Sequence, residues 1–446
     1  MRPPGSASPR PRADSGEALR IAYLAYRGNP HSGGQGVYTR HLTTQLVALG
    51  HQVTVLGGQP WPILDPGVGW IPVPSLDLYR EPDPFRVPHP REFRSLVDVG
   101  EFGLMCTAGF PEPWSFSLRA RRVLRGLAGQ YDLIHDNQCL GTGLLGLLDD
   151  GWPLLATLHH PITVDRDLEL ADNPSLVRQV TLRRWYGFVR MQMRVAAQLP
   201  RIVTVSRSSA RDITAQMGVP ADRLHVVPVG VDHTVFRPIP GAVRDPLRIM
   251  TTASSDVPLK GLVPLLEALA KVRTELPVEL VVIGKHRKGS KIPATLARLG
   301  LEGAVRFLSG IDDEALVRLY NEVALAVVPS LYEGFSLPAI ETMACGTPLL
   351  ATTGGALPEV IGEDGQTGLL VPPGDPAALA DGLLRMLGDP DLRRRLGAAG
   401  RQRVLERFTW RATAVQTVEQ YRALLDCGPA AARRLPKGCP APVALG

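Results

Sequence analysis

The sequence predicts an α/β protein of two doubly wound parallel-sheet domains of similar size, facing one another across a central cleft. Three observations carry this. Short apolar runs of strand length alternate with segments of helical period along nearly the whole chain, the pattern of parallel α/β layers. These runs fall into two series of six. Between the series lies Phe236-Arg237-Pro238-Ile239-Pro240-Gly241, a Pro/Gly linker. With 446 residues the chain also exceeds one ordinary core.

Composition narrows the class. Hydrophobic residues make up 44% and charged residues 21%, as in a soluble globular enzyme. No apolar run approaches the ~18 residues of a membrane span. Residues 1–18 are rich in Pro, Arg and Ser and have no apolar segment, so a disordered lead-in is expected rather than a secretory leader. Residues 428–446 read as a similar tail. The five cysteines are scattered with no C-x-x-C pair, which points to a cytoplasmic protein and away from a zinc site. A net charge of +6 favours phosphates, anionic lipid or nucleic acid only weakly. No nucleic-acid partner is expected.

In the first domain, residues 19–238, the expected strands are Leu19–Ala25, Gln52–Leu56, Leu133–His135, Leu154–Leu158, Ile202–Val205 and Leu224–Val227. After the first comes Gly28 to Gly36, with Gly33 and Gly34 inside it. A helix follows with Leu42, Leu46 and Leu49 on one face, and Gly50 stops it. Glycines at a strand-to-helix turn let backbone approach a ligand, and the helix N-terminus faces it too. The order G-G-x-G, with Thr39 where a third glycine would stand and no acid after Leu56-Gly57-Gly58, argues against a nicotinamide dinucleotide. The segment Trp61–Ser117 is irregular and aromatic, and reads as a loop-rich insertion that could hold an acceptor or merely pack. His159 ends the strand Leu154–Leu158, where it can donate to a sugar hydroxyl or a phosphate. The D-x-D of Asp165-Arg166-Asp167 reads as a loop without supporting metal ligands. Arg183, Arg184, Arg190 and Arg194 recur through an amphipathic segment, either an ordinary surface helix or a peripheral contact with an anionic membrane face.

The second domain, residues 245–408, has expected strands Leu247–Thr251, Val278–Ile283, Val305–Leu308, Ala324–Val328, Leu349–Ala351 and Gly368–Val371. Lys260 follows the first of them at the start of a helix Leu262–Val272, a natural diphosphate contact. Lys285-His286-Arg287-Lys288 forms a basic loop after the next strand. The most telling stretch is Tyr332 to Glu341. A buried strand leads into a loop carrying Glu333, then Ser336, fit to cap a helix, and Pro338. Glu341 lies within that helix, which Gly346 stops. The helix N-terminus suits a phosphate, and the acids on either side can accept hydroxyls. A phosphate flanked by hydroxyl-bearing groups describes a nucleotide sugar.

With both halves in view, residues 19–426 resemble glycosyltransferase family 4, retaining and metal-independent enzymes of the GT-B fold with two Rossmann-like domains. The resemblance rests on Gly33-Gly34-Gln35-Gly36, Gly50-His51-Gln52-Val53, Thr157-Leu158-His159, Pro228 to Asp232, Lys260-Gly261, and above all Glu333 to Glu341 followed by Ala344-Cys345-Gly346-Thr347-Pro348. It implies that Glu333 binds donor-sugar hydroxyls and that the amides of Gly334, Phe335, Ser336 and Leu337 hold sugar and diphosphate. It further implies that Glu341 binds the ribose and Lys260 the diphosphate. Gly33 and Gly34 lie beside the diphosphate, His159 meets the sugar, and the base rests near Leu308-Ser309-Gly310. A closing helix over 410–426 returns to the first domain. The chain departs from the pattern in two respects. Ser254 and Ser255 stand where the family usually has a second phosphate-clamping Arg, for which Arg27, Lys285 or Arg287 could substitute, and Val229 replaces the Asn of P-N-G.

The function so implied is transfer of a hexose, with retention, from a nucleoside-diphosphate sugar to a hydroxyl of a lipid, polysaccharide or small glycoside. No separate cofactor or metal is expected. Two rivals stand beside it: a nucleotide-sugar epimerase, and a non-catalytic protein of the same fold that binds nucleotide or scaffolds an assembly.

Overall fold

The computed structural model describes residues 17–28, 34–172, 175–253, 258–284 and 290–428. Two parallel sheets organise the chain. The first comprises β1 (Arg20–Ala25), β2 (Gln52–Gly57), β3 (Gly69–Pro72), β4 (Leu133–Asn137), β5 (Leu154–Leu158), β6 (Arg201–Thr204) and β7 (Leu224–Val226), in the order β3-β2-β1-β4-β5-β6-β7. The second comprises β8 (Asp245–Thr252), β9 (Glu279–Ile283), β10 (Val305–Leu308), β11 (Val323–Val328), β12 (Leu349–Thr352) and β13 (Leu369–Val371), in the order β10-β9-β8-β11-β12-β13. Each order runs outward from its first strand and then reverses. The reversal falls between β1 and β4 in one sheet and between β8 and β11 in the other. Ligands of doubly wound sheets sit beyond the strand ends at such a switch point.

The chain divides into two compact units, Met1–Val203 with Thr214–His225 and Ala414–Gly446, and Thr204–Ile213 with Val226–Thr413. The sequence put the change of domain at the 236–241 linker. In the structure Val226 onward already packs with the second unit, because Val231 bridges to Thr409 and its N–H donates to Phe408 O at 2.9 Å. The helix Trp410–Asp426 delivers Tyr421 to the first unit, where its hydroxyl meets His135 Nδ1 at 2.5 Å.

The second unit shows why its strands read so clearly. All six residues of β11, Val-Ala-Leu-Ala-Val-Val, are buried, as expected of a parallel strand covered on both faces. Helix Leu262–Val272 presents Leu262, Leu265, Leu266, Leu269 and Val272 to that core at helical spacing.

The first unit departs from expectation in its insertion. The stretch read as loop-rich contains the edge strand β3, the helix Leu96–Cys106 and the start of the helix Glu112–Arg125. β3 is four residues long, half-exposed and ends in proline, so it carries no apolar run to announce it. A buried cluster fixes the two helices: Arg119 reaches both Asp98 and Glu101 at 2.5 Å, and Glu101 also accepts from Ser115 at 2.9 Å. Among the described residues no helix is long and apolar enough to cross a membrane.

Candidate active site

The site in the second unit is built on its switch point. β8 ends at Thr252, and the chain re-enters as a 3-10 turn, Pro258–Lys260. Leu331 N donates to Leu259 O at 2.7 Å, which ties this turn to the loop after β11. Lys260 Nζ thereby lies 2.8 Å from Glu333 Oε1, and Ser330 Oγ donates to the same oxygen at 2.6 Å. The Glu333 side chain is only 9% exposed, against 33% for Lys260. Oε2 of Glu333 accepts no hydrogen bond among the described residues and stays available to a ligand hydroxyl.

The loop between Glu333 and the helix Leu337–Ala344 is shaped from two sides. Gly334 O accepts from Ser206 Oγ at 2.7 Å and from Ser209 Oγ at 3.1 Å, and Glu333 O accepts from Ala356 N at 2.8 Å. Phe335 is buried edge-on against Phe408, with centroids 5.6 Å apart. With the carbonyls of Glu333 and Gly334 held, the residues Gly334 to Leu337 keep their own N–H groups uncommitted among the described residues. These are the orphan donors of a helix N-terminus, where the peptide dipoles also favour negative charge. Removing both hydroxyls with Ser206→Ala and Ser209→Ala is expected to leave Gly334 O unsatisfied. That costs about 1–3 kcal/mol and lowers kcat more than either single change, as steady-state kinetics with thermal melts will show.

Ser336 does not cap the helix as its sequence suggests. Its backbone sits at φ 91°, in a region that non-glycine residues rarely enter, and its hydroxyl is buried without a hydrogen-bond partner. The loop bends too sharply for Oγ to turn back on the first amides. Strain of this kind costs of order 1–3 kcal/mol and gathers where ligands are gripped.

Glu341 occupies the second turn of the same helix. Tyr320 Oη donates to its Oε2 at 3.3 Å and also lies 3.4 Å from Thr252 Oγ1 at the end of β8. Burial pushes the Glu341 carboxyl up to about 7, with the Tyr320 hydrogen bond opposing. Ser309 lies exposed just past β10. So the structure joins Lys260, Glu333 and the 334–337 loop directly and seats Glu341 on the same helix. Ser254, Ser255, Lys285 and Arg287 lie outside the described residues.

In the first unit, Gly34 opens the helix Gly34–Ala48 and is exposed, with open space around the place of a side chain. Gly33 lies outside the described residues. His159 follows β5. Its N–H donates to Gln138 Oε1 at 2.7 Å, and its Nε2 lies 2.9 Å from Asn137 Oδ1. Asn137 Nδ2 in turn donates to Gln35 O and Thr39 Oγ1, at 3.2 and 3.0 Å, which assigns Oδ1 as the atom facing the imidazole. Nε2 therefore carries the proton and Nδ1 is left as an acceptor. Burial, helped by His160, lowers the His159 pKa to about 3, so the ring is neutral at physiological pH. Tyr38 supports it edge-on at 4.7 Å.

Two expectations fail here. Arg27 is not available as a phosphate clamp: its guanidinium pairs with Glu112 and covers the rings of Phe110 at 5.0 Å and Tyr79 at 5.8 Å. Asp165-Arg166-Asp167 is not a loop. It lies in the helix Ile162–Asp172, where Arg166 Nε holds Asp167 at 2.7 Å.

A paired lysine and glutamate lie beside an open helix N-terminus at the switch point of a Rossmann-like sheet, an arrangement whose cation and free N–H groups suit an anionic ligand. Comparison with known proteins agrees. Residues 32–235 match the model of "Glycosyltransferase Family 4" and residues 241–403 that of "Glycosyl transferases group 1". The chain is 52% identical over 404 residues to the MMP alpha-(1->4)-mannosyltransferase of Mycolicibacterium hassiacum, covering 90% of this chain and 98% of that one. It is 34% identical over 329 residues to the D-inositol 3-phosphate glycosyltransferase of Nocardia farcinica, 68% and 69% of the two chains. Among solved structures, sucrose-phosphate synthase from Thermosynechococcus elongatus superposes with a TM-score of 0.68 at 24% identity, over 91% of this chain and 99% of the other. Anabaena HepE in complex with UDP and glucose gives 0.64 at 19%, over 90% and 99%. These two similarities establish the fold. The chain belongs to glycosyltransferase family 4 and is a nucleotide-sugar-dependent glycosyltransferase.

Ser330, Ser206, Ser209, Tyr320 and Asn137 were not singled out in the sequence. Only Ser330 had a local signal, three residues before Glu333 at the end of a buried strand.

Proposed function

We propose that the protein transfers mannose from a nucleoside-diphosphate mannose to the 4-hydroxyl of a carbohydrate acceptor, with retention of the α configuration. The observation that carries this reading is the 52% identity spanning 98% of an alpha-(1->4)-mannosyltransferase. The site supports it. Lys260 and the N–H groups of 334–337 meet the negative charge that grows on the departing diphosphate. Glu333 Oε2 accepts from a sugar hydroxyl, and Lys260 and Ser330 keep Oε1 in place. On the first unit, Nδ1 of His159 is an acceptor of the same kind. In the step itself the bond from the anomeric carbon to the diphosphate oxygen breaks. The bond to the acceptor oxygen forms on the same face, and the acceptor proton passes to the leaving phosphate. The charge of the diphosphate is met by Lys260 and backbone amides, and Asp167, held by Arg166, is not needed as a metal ligand.

The test is a donor screen with GDP- and UDP-linked mannose and glucose on α-mannoside acceptors. Products are read by mass spectrometry and by NMR of the new anomeric centre. The expected product gains one hexose in α-(1→4) linkage from a mannose donor. A β product, or epimerised sugar released without transfer, overturns the reading.

A ribose contact at Glu341 has a pH signature. With the carboxyl pKa at about 7, the better acceptor form fills in between pH 6 and 8, so nucleotide affinity rises over that window. Stability moves oppositely. A carboxyl whose pKa is raised on folding contributes most below its unfolded value, and that contribution fades as pH rises through about 7. Titration calorimetry with nucleoside diphosphates at pH 6, 7 and 8 is expected to show several-fold tightening. Glu341→Gln is expected to abolish the trend.

A further inference from the structure

Away from these residues, the first unit carries an open groove of about 570 Å³ formed by the β2–β3 connection and β3, lined by Trp61, Pro62, Leu64, Asp65, Trp70 and Pro72 among others. That volume lies within the ~300–1,000 Å³ range of small-ligand sites. Two large aromatics face solvent in it: Trp61 is 43% and Trp70 39% exposed. Their rings meet edge to face, with centroids 5.7 Å apart and planes at 85°, and so form a rigid corner. Leaving two indoles in water forgoes burial that would stabilise the fold, and the three proline rings at 62, 66 and 72 hold the corner with little entropy left to lose on binding.

Asp65 lines the same groove. Asp65 accepts from Arg40 Nε at 3.0 Å and Nη2 at 2.8 Å through one oxygen, and from Thr44 Oγ1 at 2.8 Å through the other. The Arg40 hydrogen bond lowers its pKa, so it is ionised at neutral pH, and its oxygens have acceptor capacity beyond these three bonds. An apolar aromatic wall beside a fixed carboxylate matches a pyranose ring, which has an apolar C–H face and an edge of hydroxyl donors. An acyl chain gains nothing from the carboxylate, and a phosphate, which has no donors of its own when ionised, finds only an acceptor there. The groove is also joined to the strand-end loop of the first unit. Gly28 N donates to Pro60 O at 2.9 Å, and a Cβ on Gly28 would lie within 2.5 Å of Pro62.

We propose that the Trp61–Trp70 groove is a secondary carbohydrate subsite, which holds a sugar unit of the acceptor chain away from the hydroxyl that reacts. It rests on the reading of the acceptor as a carbohydrate. The consequence is a preference for longer acceptors.

The test compares an α-(1→4)-linked mannose disaccharide with the corresponding octasaccharide, using the full chain. Trp61→Ala removes one wall. Gly57→Ala acts differently, because its Cβ would lie 2.5 Å from the Trp70 ring and would push the indole aside without deleting an aromatic. In both variants KM for the octasaccharide is expected to rise about three- to tenfold, the size of an aromatic contact. KM for the disaccharide and for the donor should stay unchanged, and Trp61→Phe should keep most of the long-chain preference. An octasaccharide KM unaffected by Trp61→Ala overturns the proposal, as does equal loss for both lengths. Binding of the octasaccharide is measured separately by calorimetry. If no mannose donor supports transfer while Trp61→Ala still weakens octasaccharide binding, the reaction reading falls and the groove stands.

Discussion

Lys260→Ala is expected to lower kcat by ~10²–10³, the loss seen when one fixed donor to a developing oxyanion is removed. The argument starts from the resting pair. Lys260 Nζ lies 2.8 Å from Glu333 Oε1, the single hydrogen bond of the ammonium among the described residues. A diphosphate arriving beside it finds a charge already positioned, so little reorganisation is left for the transition state. Alanine removes that charge and also leaves Glu333, 9% exposed, with Ser330 as its partner. Breaking a fully buried pair costs about 3–5 kcal/mol. Lys260 is one-third exposed and Ser330 remains, so a loss of about 1–2 kcal/mol is expected here. The chain should therefore stay folded while turnover collapses. Glu333→Ala should act through the same pair, and the double variant should lose much less than the sum of the two in a double-mutant cycle. Steady-state kinetics with the mannose donor and thermal melts check both halves. Near-wild-type turnover for both single variants would remove Lys260 and Glu333 from the site.

Each member of that pair, though not their contact, was legible in the sequence because both residues follow strong local signals. β11 is an unbroken apolar run, β8 precedes a leucine-rich helix, and position just after a strand's end is itself a prediction of ligand contact. What holds the pair was not legible. Ser206 and Ser209 reach Gly334 from more than a hundred positions away, and nothing near either serine in sequence marks it. Arg27 shows the converse. As a cation in a glycine-rich turn it reads as a phosphate contact, until the fold brings Glu112 and two aromatic rings onto it. Ser336 fails for a third reason: residue type predicts a cap, but its positive φ turns the hydroxyl away from the amides a cap must reach. Local pattern fixes where strands end. Which side chains close over those ends depends on tertiary contacts that no short window contains.

Gly355→Ala carries the other large expected effect, at a residue to which sequence alone gave no role. Gly355 follows β12 with φ +63°, and a Cβ there would lie 2.3 Å from Glu333 O and 2.8 Å from Glu333 N. No real Cβ tolerates such contacts with backbone, so the loop carrying Glu333 must move. The neighbouring Ala356 N also donates to Glu333 O at 2.8 Å, so the displacement breaks a hydrogen bond that shapes the loop. The left-handed backbone alone costs alanine about 1–2 kcal/mol, and the lost bond and shifted packing bring the expected destabilisation to about 2–4 kcal/mol. A shift near 1 Å at a positioning group lowers turnover by ~10²-fold. Gly365→Ala supplies the control. Gly365 has a similar φ of +77° but no atom within 4 Å of the added carbon, so it should show the backbone cost alone and keep its activity. The difference between the two variants, in melting temperature and in kcat, measures what contact with Glu333 contributes beyond the backbone penalty. Equal effects in both would mean that the close approach of Gly355 does not hold Glu333 in place.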